Sequence, residues 1–251
     1  MKNIKIKLIL FYLIIPIQFH RYILAESNID INISDNVPPQ SGYNILNKLE
    51  GLIIDLSVNI FKNYSFSAFP LARALEETKN KKNSLIFISR NTSRENEYQW
   101  ISPIYITPVF IYTRKGWIKK NGVNINRLSS IGVINGSSLI LTLNEKKYMG
   151  EISTVTSNEQ NLKKLLNERI DGWIEGSIIA EYIIKKENLN VLSFDKIGPI
   201  LNNKTWIATS KKSDKEFISA VSLKINKFRT SQLYNEILNK YSAQPIDYGN
   251  D

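Results

Sequence analysis

The 251-residue chain has no cysteine, a single histidine and two methionines. Without cysteine there can be no disulfide, no thiolate nucleophile and no cysteine-ligated metal, although an oxidising compartment is not excluded. No glycine-rich phosphate loop ending in lysine occurs, and no carboxylate pair stands at a diagnostic spacing. No apolar run approaches the roughly 20 residues that a membrane-spanning helix needs. There is no internal sequence repeat and no low-complexity tract. What remains is ordinary globular material, 43% hydrophobic and 22% charged, long enough for one large domain or two small ones.

The first residues stand apart. Met1 to Ala25 carry Lys2, Lys5, Lys7 and Arg21 and no acid, with an apolar run from Leu8 to Ile15 and a small residue at Ala25. This is the layout of a secretory signal peptide, residues 1–25, and it leads us to expect an exported, soluble, periplasmic protein beginning near Glu26. The polar stretch Gln18 to Tyr22 leaves an uncleaved anchor as the alternative. The one histidine, His20, lies in this segment, so its removal would leave neither histidine nor cysteine. That excludes a Ser-His-Asp triad, Cys-His pairs and the common zinc sites, and any catalysis would rest on carboxylates, lysine or tyrosine. The formal charge of +10 falls to +6 over residues 26–251, with 29 basic and 23 acidic residues. The lysines fall in scattered pairs such as Lys81-Lys82 and Lys185-Lys186, which reads as solvated surface rather than a nucleic-acid stripe.

The order of elements is that of an α/β protein. Ile29 to Ile33 alternates as a strand, Pro38-Pro39 opens a loop, and Gly51 precedes an amphipathic helix holding Asp55. Phe69-Pro70 starts a second helix. Leu85 to Ile88 is a buried strand and Pro108 to Thr113 another. Polar residues from Arg114 to Asn126 mark a crossing into a new unit, which starts at the strand Ser130 to Ile134. Ser157-x-x-Gln160 and Ser213-x-x-Glu216 each have the form of a capping box. Strands are expected around Arg169 to Ile174 and Val191 to Phe194. Thr205 to Ala208 makes the return crossing, two helices follow to Tyr241, and residues 242–251 form a flexible tail.

Two places carry chemistry. Ser89 to Pro103 leaves the buried strand with Arg90 and Arg94, where open α/β sheets bind ligands; Arg94 is either an anion grip or an ordinary surface arginine. Asn135-Gly136-Ser137-Ser138 turns a strand into a helix, offering either an anion site or plain capping by Ser137.

Taken together the motifs resemble those of extracellular solute-binding proteins of ABC uptake systems, the polar amino acid branch. The resemblance runs from about Ile29 to Tyr241. It rests on Arg90-Asn91-Thr92-Ser93-Arg94-Glu95 followed by Trp100-Ile101-Ser102-Pro103-Ile104-Tyr105, on Gly51 with Asp55, on Ile131-Gly132-Val133 through Gly136-Ser137, and on Leu166 to Asp171. It implies the type II periplasmic-binding-protein-like fold, α/β, with two lobes, two hinge strands and a ligand cleft between the lobes. Lobe one would be residues 26–112 plus 206–241, and lobe two residues 113–205. It also implies no reaction and no cofactor, a small-molecule ligand, an inner-membrane permease as partner, and a monomer. Arg94 matches the family arginine that holds an α-carboxylate, with Ser89 and Asn91 beside it and Ser137 at the lobe-two helix start; Trp173 and Glu175 complete the implied ligand-binding set. The family's amine-binding aspartate would fall at Gly176. Glu175 is therefore either a substitute amine partner or a surface acid, and the ligand is either an amino acid or a small carboxylate lacking the amine. The alternatives are an orphan periplasmic sensor and a dehydratase-like enzyme on the same fold.

Overall fold

The computed structural model describes residues 28–135 and 137–246, so the expected signal segment lies outside the described residues. The first part of the chain forms strands β1 (Ile29–Ser34), β2 (Asn36–Val37), β3 (Ser41–Tyr43) and β4 (Leu49–Glu50), helix α1 (Leu52–Ile60), strand β5 (Tyr64–Phe69), helix α2 (Leu71–Asn80), and strands β6 (Ser84–Ser89) and β7 (Tyr98–Arg114). Next come α3 (Trp117–Asn121), β8 (Ser130–Ile134), α4 (Leu139–Glu145), β9 (Glu151–Val155), α5 (Asn158–Leu166), β10 (Gly172–Gly176) and α6 (Ser177–Lys186). Strand β11 (Phe194–Ser210) and helices α7 (Lys215–Arg229) and α8 (Gln232–Lys240) close the sequence of elements.

Strands β2, β3 and β4 make a small separate sheet, while the other eight lie in the order β5-β1-β6-β11-β7-β10-β8-β9. The order has a symmetry that the sequence does not display. At one end β1 pairs in parallel with β5 and β6, and at the other β8 pairs in parallel with β9 and β10. Each half is thus a β-α-β-α-β unit, and the antiparallel pair β7–β11 joins them.

That joint is narrow. Val109 to Thr113 of β7 lie against β10, and Thr205 to Thr209 of β11 lie against β6. Between those stretches, Ile106 to Pro108 face Lys204 to Asn202 with neither outer strand beside them. The hydrophobic core divides at the same place. Clusters built on α1, α7 and α8 and on α2 lie on one side; clusters around Ile131, Val133 and Leu143 and around Trp173 and Ile183 lie on the other. Ile178 of α6 is the exception, since it packs into the cluster of the first half.

Local sequence explains several details. Gly51 adopts φ 129°, and a Cβ there would stand 2.6 Å from the Gln40 carbonyl oxygen. That close approach lets the loop carbonyls of Pro39 and Gln40 accept from the Leu52 and Ile53 amides, satisfying the open helix start without a side-chain cap. Ser157 does cap α5, accepting from the Gln160 amide.

Other expectations are corrected. Asp214, not Ser213, is the N-cap of α7; the Ser213 hydroxyl instead accepts from the Asn83 amide and pairs with Thr209. Val191–Ser193 is a 3-10 turn ahead of β11 rather than a strand. Strand β5 was not anticipated, although Tyr64-Ser65-Phe66-Ser67-Ala68 alternates as a strand should. Residues 242–246 do not hang loose. Ala243 and Ile246 are buried, and Gln244 bridges to Ile106.

Candidate functional site

The parallel strands of both halves end toward the joint. Asp35 follows β1 and donates its amide to the Phe69 carbonyl at the end of β5; Asn135 follows β8 and donates in the same way to Val155 at the end of β9. Ser89 ends β6 and Gly176 ends β10. Such a crevice at the carboxyl ends of parallel strands is where α/β sheets take ligands.

One wall is the loop after β6. Asn91 Oδ1 accepts from the Arg94 amide at 3.1 Å, an Asx-type turn that sets the loop's path. Arg90 makes a bidentate pair with Glu95 and lies over the rings of Trp206 and Trp100, 4.7 and 5.4 Å from their centroids. Glu97 is taken by Lys79 at 2.9 Å. Both acids next to Arg94 are therefore occupied by other cations. Arg94 itself is half-buried, and its side-chain hydrogen bond among the described residues runs from Nη1 to the Ser89 carbonyl at 3.2 Å. No ion pair of Arg94 occurs among the described residues.

The floor is a rung of the joint, Asn203 of β11 opposite Thr107 of β7. Asn203 Nδ2 donates to the Ser89 hydroxyl at 3.1 Å. On the other side a Cβ at Gly176 would lie 2.7 Å from Thr107 Cγ2. This rung brings Ser89 and Gly176 into one neighbourhood. It also gives a physical reason for the glycine: Thr107 fills the space that a side chain at 176 would need.

The second wall holds a relay of side chains. The Trp173 indole N–H donates to Asn158 Oδ1 at 3.2 Å, Asn158 Nδ2 donates to Glu175 Oε2 at 2.8 Å, and the Gly176 amide donates to Glu175 Oε1 at 2.8 Å. Burial pushes the Glu175 carboxyl above the usual range, opposed by the hydrogen bonds from Gly176 and Asn158. Trp173 is wholly enclosed, its ring 5.7 Å from that of Tyr112 in the core of the second half. It backs this wall and presents no surface to a ligand. The Tyr112 hydroxyl, buried without a hydrogen-bond partner, is held protonated by burial, with Glu181 and Glu175 adding to the effect. Ser137 is half-buried, and its hydroxyl accepts from the Leu139 amide at 3.2 Å, but the N-cap of α4 is Ser138, not Ser137.

Sequence reasoning missed Asn203, Thr107 and Asn158. Nothing local to them announces a site, because their roles come from the β7–β11 register and the start of α5. A broad groove of about 1360 Å³ also runs from Asp35 and Pro38 past Asp55 and Tyr64 to Tyr182 and Tyr241. None of the six residues named from sequence lines it. No group of three or more acidic or histidine side chains suited to a metal, and no helix long and apolar enough to cross a membrane, occurs among the described residues.

No protein-family model and no curated protein matches the chain. Solved structures do. A polar amino acid ABC uptake transporter substrate-binding protein from Streptococcus thermophilus aligns with a TM-score of 0.65 at 20% identity over 86% of each chain. The second substrate-binding domain of Lactococcus lactis GlnP, in an open conformation, aligns at 0.68 and 19%, over 86% of this chain and 96% of that one. A histidine kinase sensor domain with similarity to periplasmic binding proteins aligns at 0.66 and 15%, over 88% and 99%. The fold is therefore the two-lobed, periplasmic-binding-protein-like α/β fold.

Proposed function

We propose that this protein is a periplasmic solute-binding protein that captures a small carboxylate-bearing solute between its lobes and delivers it to an ABC-type permease, with Arg94 clamping the carboxylate. The observation that carries the reading is the guanidinium of Arg94 at the crevice, left unneutralised because Glu95 and Glu97 pair with Arg90 and Lys79. A bidentate, charge-assisted pair there is worth about 1.5–3 kcal/mol per hydrogen bond. Ser89 and Asn91 shape the clamp's loop, Ser137 is assigned to the second half's side of the same solute, and the lobes meet at the Ile106–Pro108 ribbon. Glu175 and Gly176 decide what else the solute carries. With residue 176 blocked by Thr107 and the Glu175 carboxylate already accepting two hydrogen bonds, the reading favours a solute whose recognition rests on its anionic end.

A thermal-shift screen of amino acids and small carboxylates tests this. A ligand at one hundred times its Kd stabilises the folded state by about 2.7 kcal/mol. Arg94→Ala should abolish the shift while leaving circular dichroism unchanged; a shift retained in the variant removes Arg94 from the site. The likeness to a kinase sensor domain supports a second reading, a receptor subunit that reports the solute to a membrane partner. Reconstitution with a candidate permease separates the two: uptake that depends on this protein supports transport, and binding without uptake supports sensing.

A further inference from the structure

The residues that follow α8 have a place in the hinge. We propose that residues 242–246 are a third hinge strand, a strap that ties α6 of the second half to the first half and sets how readily the lobes swing apart.

The strap is anchored at three points. In its middle, Gln244 exchanges both backbone hydrogen bonds with Ile106, each 2.9 Å long. Ile106 begins the stretch in which neither β6 nor β10 flanks the β7–β11 pair. Gln244 thus lies on the edge of β7 that β10 occupies at Val109 to Thr113, and it widens the joint from two strands to three. Toward the first half, Ile246 is buried and its amide approaches the Tyr234 hydroxyl at 3.4 Å, while that hydroxyl donates to the Ile104 carbonyl at 2.7 Å. Toward the second half, the Ser177 hydroxyl at the start of α6 donates to the Ser242 carbonyl, and the Ser242 hydroxyl donates to Glu181 Oε2, each at 2.8 Å. Glu181 is held in turn by Lys196 of β11 at 2.6 Å. Ile178, one residue into α6, packs in the same apolar cluster as Ala243 and Leu238.

Local chemistry suits this role. Pro245 biases Gln244 to the extended conformation that a ladder requires, and the pairing ends after one rung because the next amide facing that way, that of Ile246, turns to the Tyr234 hydroxyl. A two-stranded ribbon bends easily because few contacts oppose the bend. With the strap in place, rotating α6 away from the first half must break the Ser177–Ser242–Glu181 links or pull Gln244 off Ile106. The strap therefore favours the lobe arrangement in which all three anchors are made at once, whatever the solute.

The test uses the full chain. Because the sequence has no cysteine, Lys119→Cys and Lys211→Cys, both exposed and at opposite ends of the molecule, allow clean paired labelling for an interlobe distance measurement. Two variants are compared with the parent: Gln244→Pro, which removes the donor to Ile106, and Ser177→Ala, which loosens the strap from α6 without altering it. Gln244→Pro should make the Ile106 amide exchange roughly five- to tenfold faster. Both variants should broaden or shift the interlobe distance while circular dichroism is retained. If Gln244→Pro fails to fold, Ser177→Ala alone carries the distance test. Unchanged distances in the folded variants, or an unchanged Ile106 exchange rate in Gln244→Pro, would overturn the proposal.

Discussion

Gly176 and Thr107 offer the sharpest test of the cleft's floor. Gly176 has φ −67° and ψ 141°, a conformation open to any L residue, so Gly176→Ala carries no backbone penalty. Its cost is contact alone. The new methyl would lie 2.7 Å from Thr107 Cγ2 but 3.9 Å from Thr107 Cβ, so one methyl group is the obstacle. Carbon atoms settle at about 3.5–4.0 Å, so something buried must move by about 1 Å. Overpacking of this kind costs about 1–3 kcal/mol, partly offset by about 0.4–1 kcal/mol from the stiffer unfolded chain. Thr107→Ser removes the obstructing methyl at a loss of about 0.8 kcal/mol of burial. The double variant should then be more stable than Thr107→Ser alone by the same gain of about 0.4–1 kcal/mol, giving a favourable coupling energy of about 1–3 kcal/mol. Urea melts read by circular dichroism measure all three variants, and a chain of this size should shift in Tm by about 2–4 °C per kcal/mol. If the double variant shows no relief relative to the two single variants, Thr107 does not fill the space beside residue 176.

Other consequences can be measured. Glu175 has a folded pKa above its unfolded value, so it contributes stability at low pH that is lost as pH rises from about 4.3, the free glutamate value, through the folded pKa. Stability of Glu175→Gln should lack that decline; an identical pH profile in the two proteins would rule it out. Gly51→Ala should destabilise by about 3 kcal/mol or more, since it adds strain at φ 129° to contact with two loop carbonyls, and a denaturant midpoint unchanged from the parent would contradict the close approach. Tyr234→Phe leaves the Ile104 carbonyl short of a donor in the core and should cost about 1–3 kcal/mol in the same assay.

Much of this architecture can be read from the chain, and what cannot be read has identifiable causes. The loop around Arg94 and the alternation of strands and helices follow from local patterns, except that β5 was not anticipated in the first half. The length of β7 and β11 does not, because Pro103, Pro108 and Gly198-Pro199 look like interruptions. In the fold, the register of the pair shifts beside Pro103 and across Gly198-Pro199, and Pro108 lies in the ribbon, where no strand on its far side asks for an N–H. Thr107, Asn203 and Gly176 meet only once the register of two strands is known, and they lie far apart in sequence. Trp173 belongs to the ligand-binding set that the resemblance implies, but in the fold its face of β10 is covered by α5 and α6.

The pairing of Val109 with Leu201 has a consequence for the order in which the molecule can assemble. The chain leaves the first half and re-enters it at adjacent points, so the second half is a continuous insertion closed at its own base. Its strands and helices from β8 to α6 are all made before Leu201 and can fold as soon as they appear. The first half cannot. The apolar faces of Leu52, Leu56 and Ile60 are covered by α7 and α8, which are made only after the whole second half. Until then the early half is an unfinished core attached to a finished one, and any partner that guards the growing chain has one half to protect and not two.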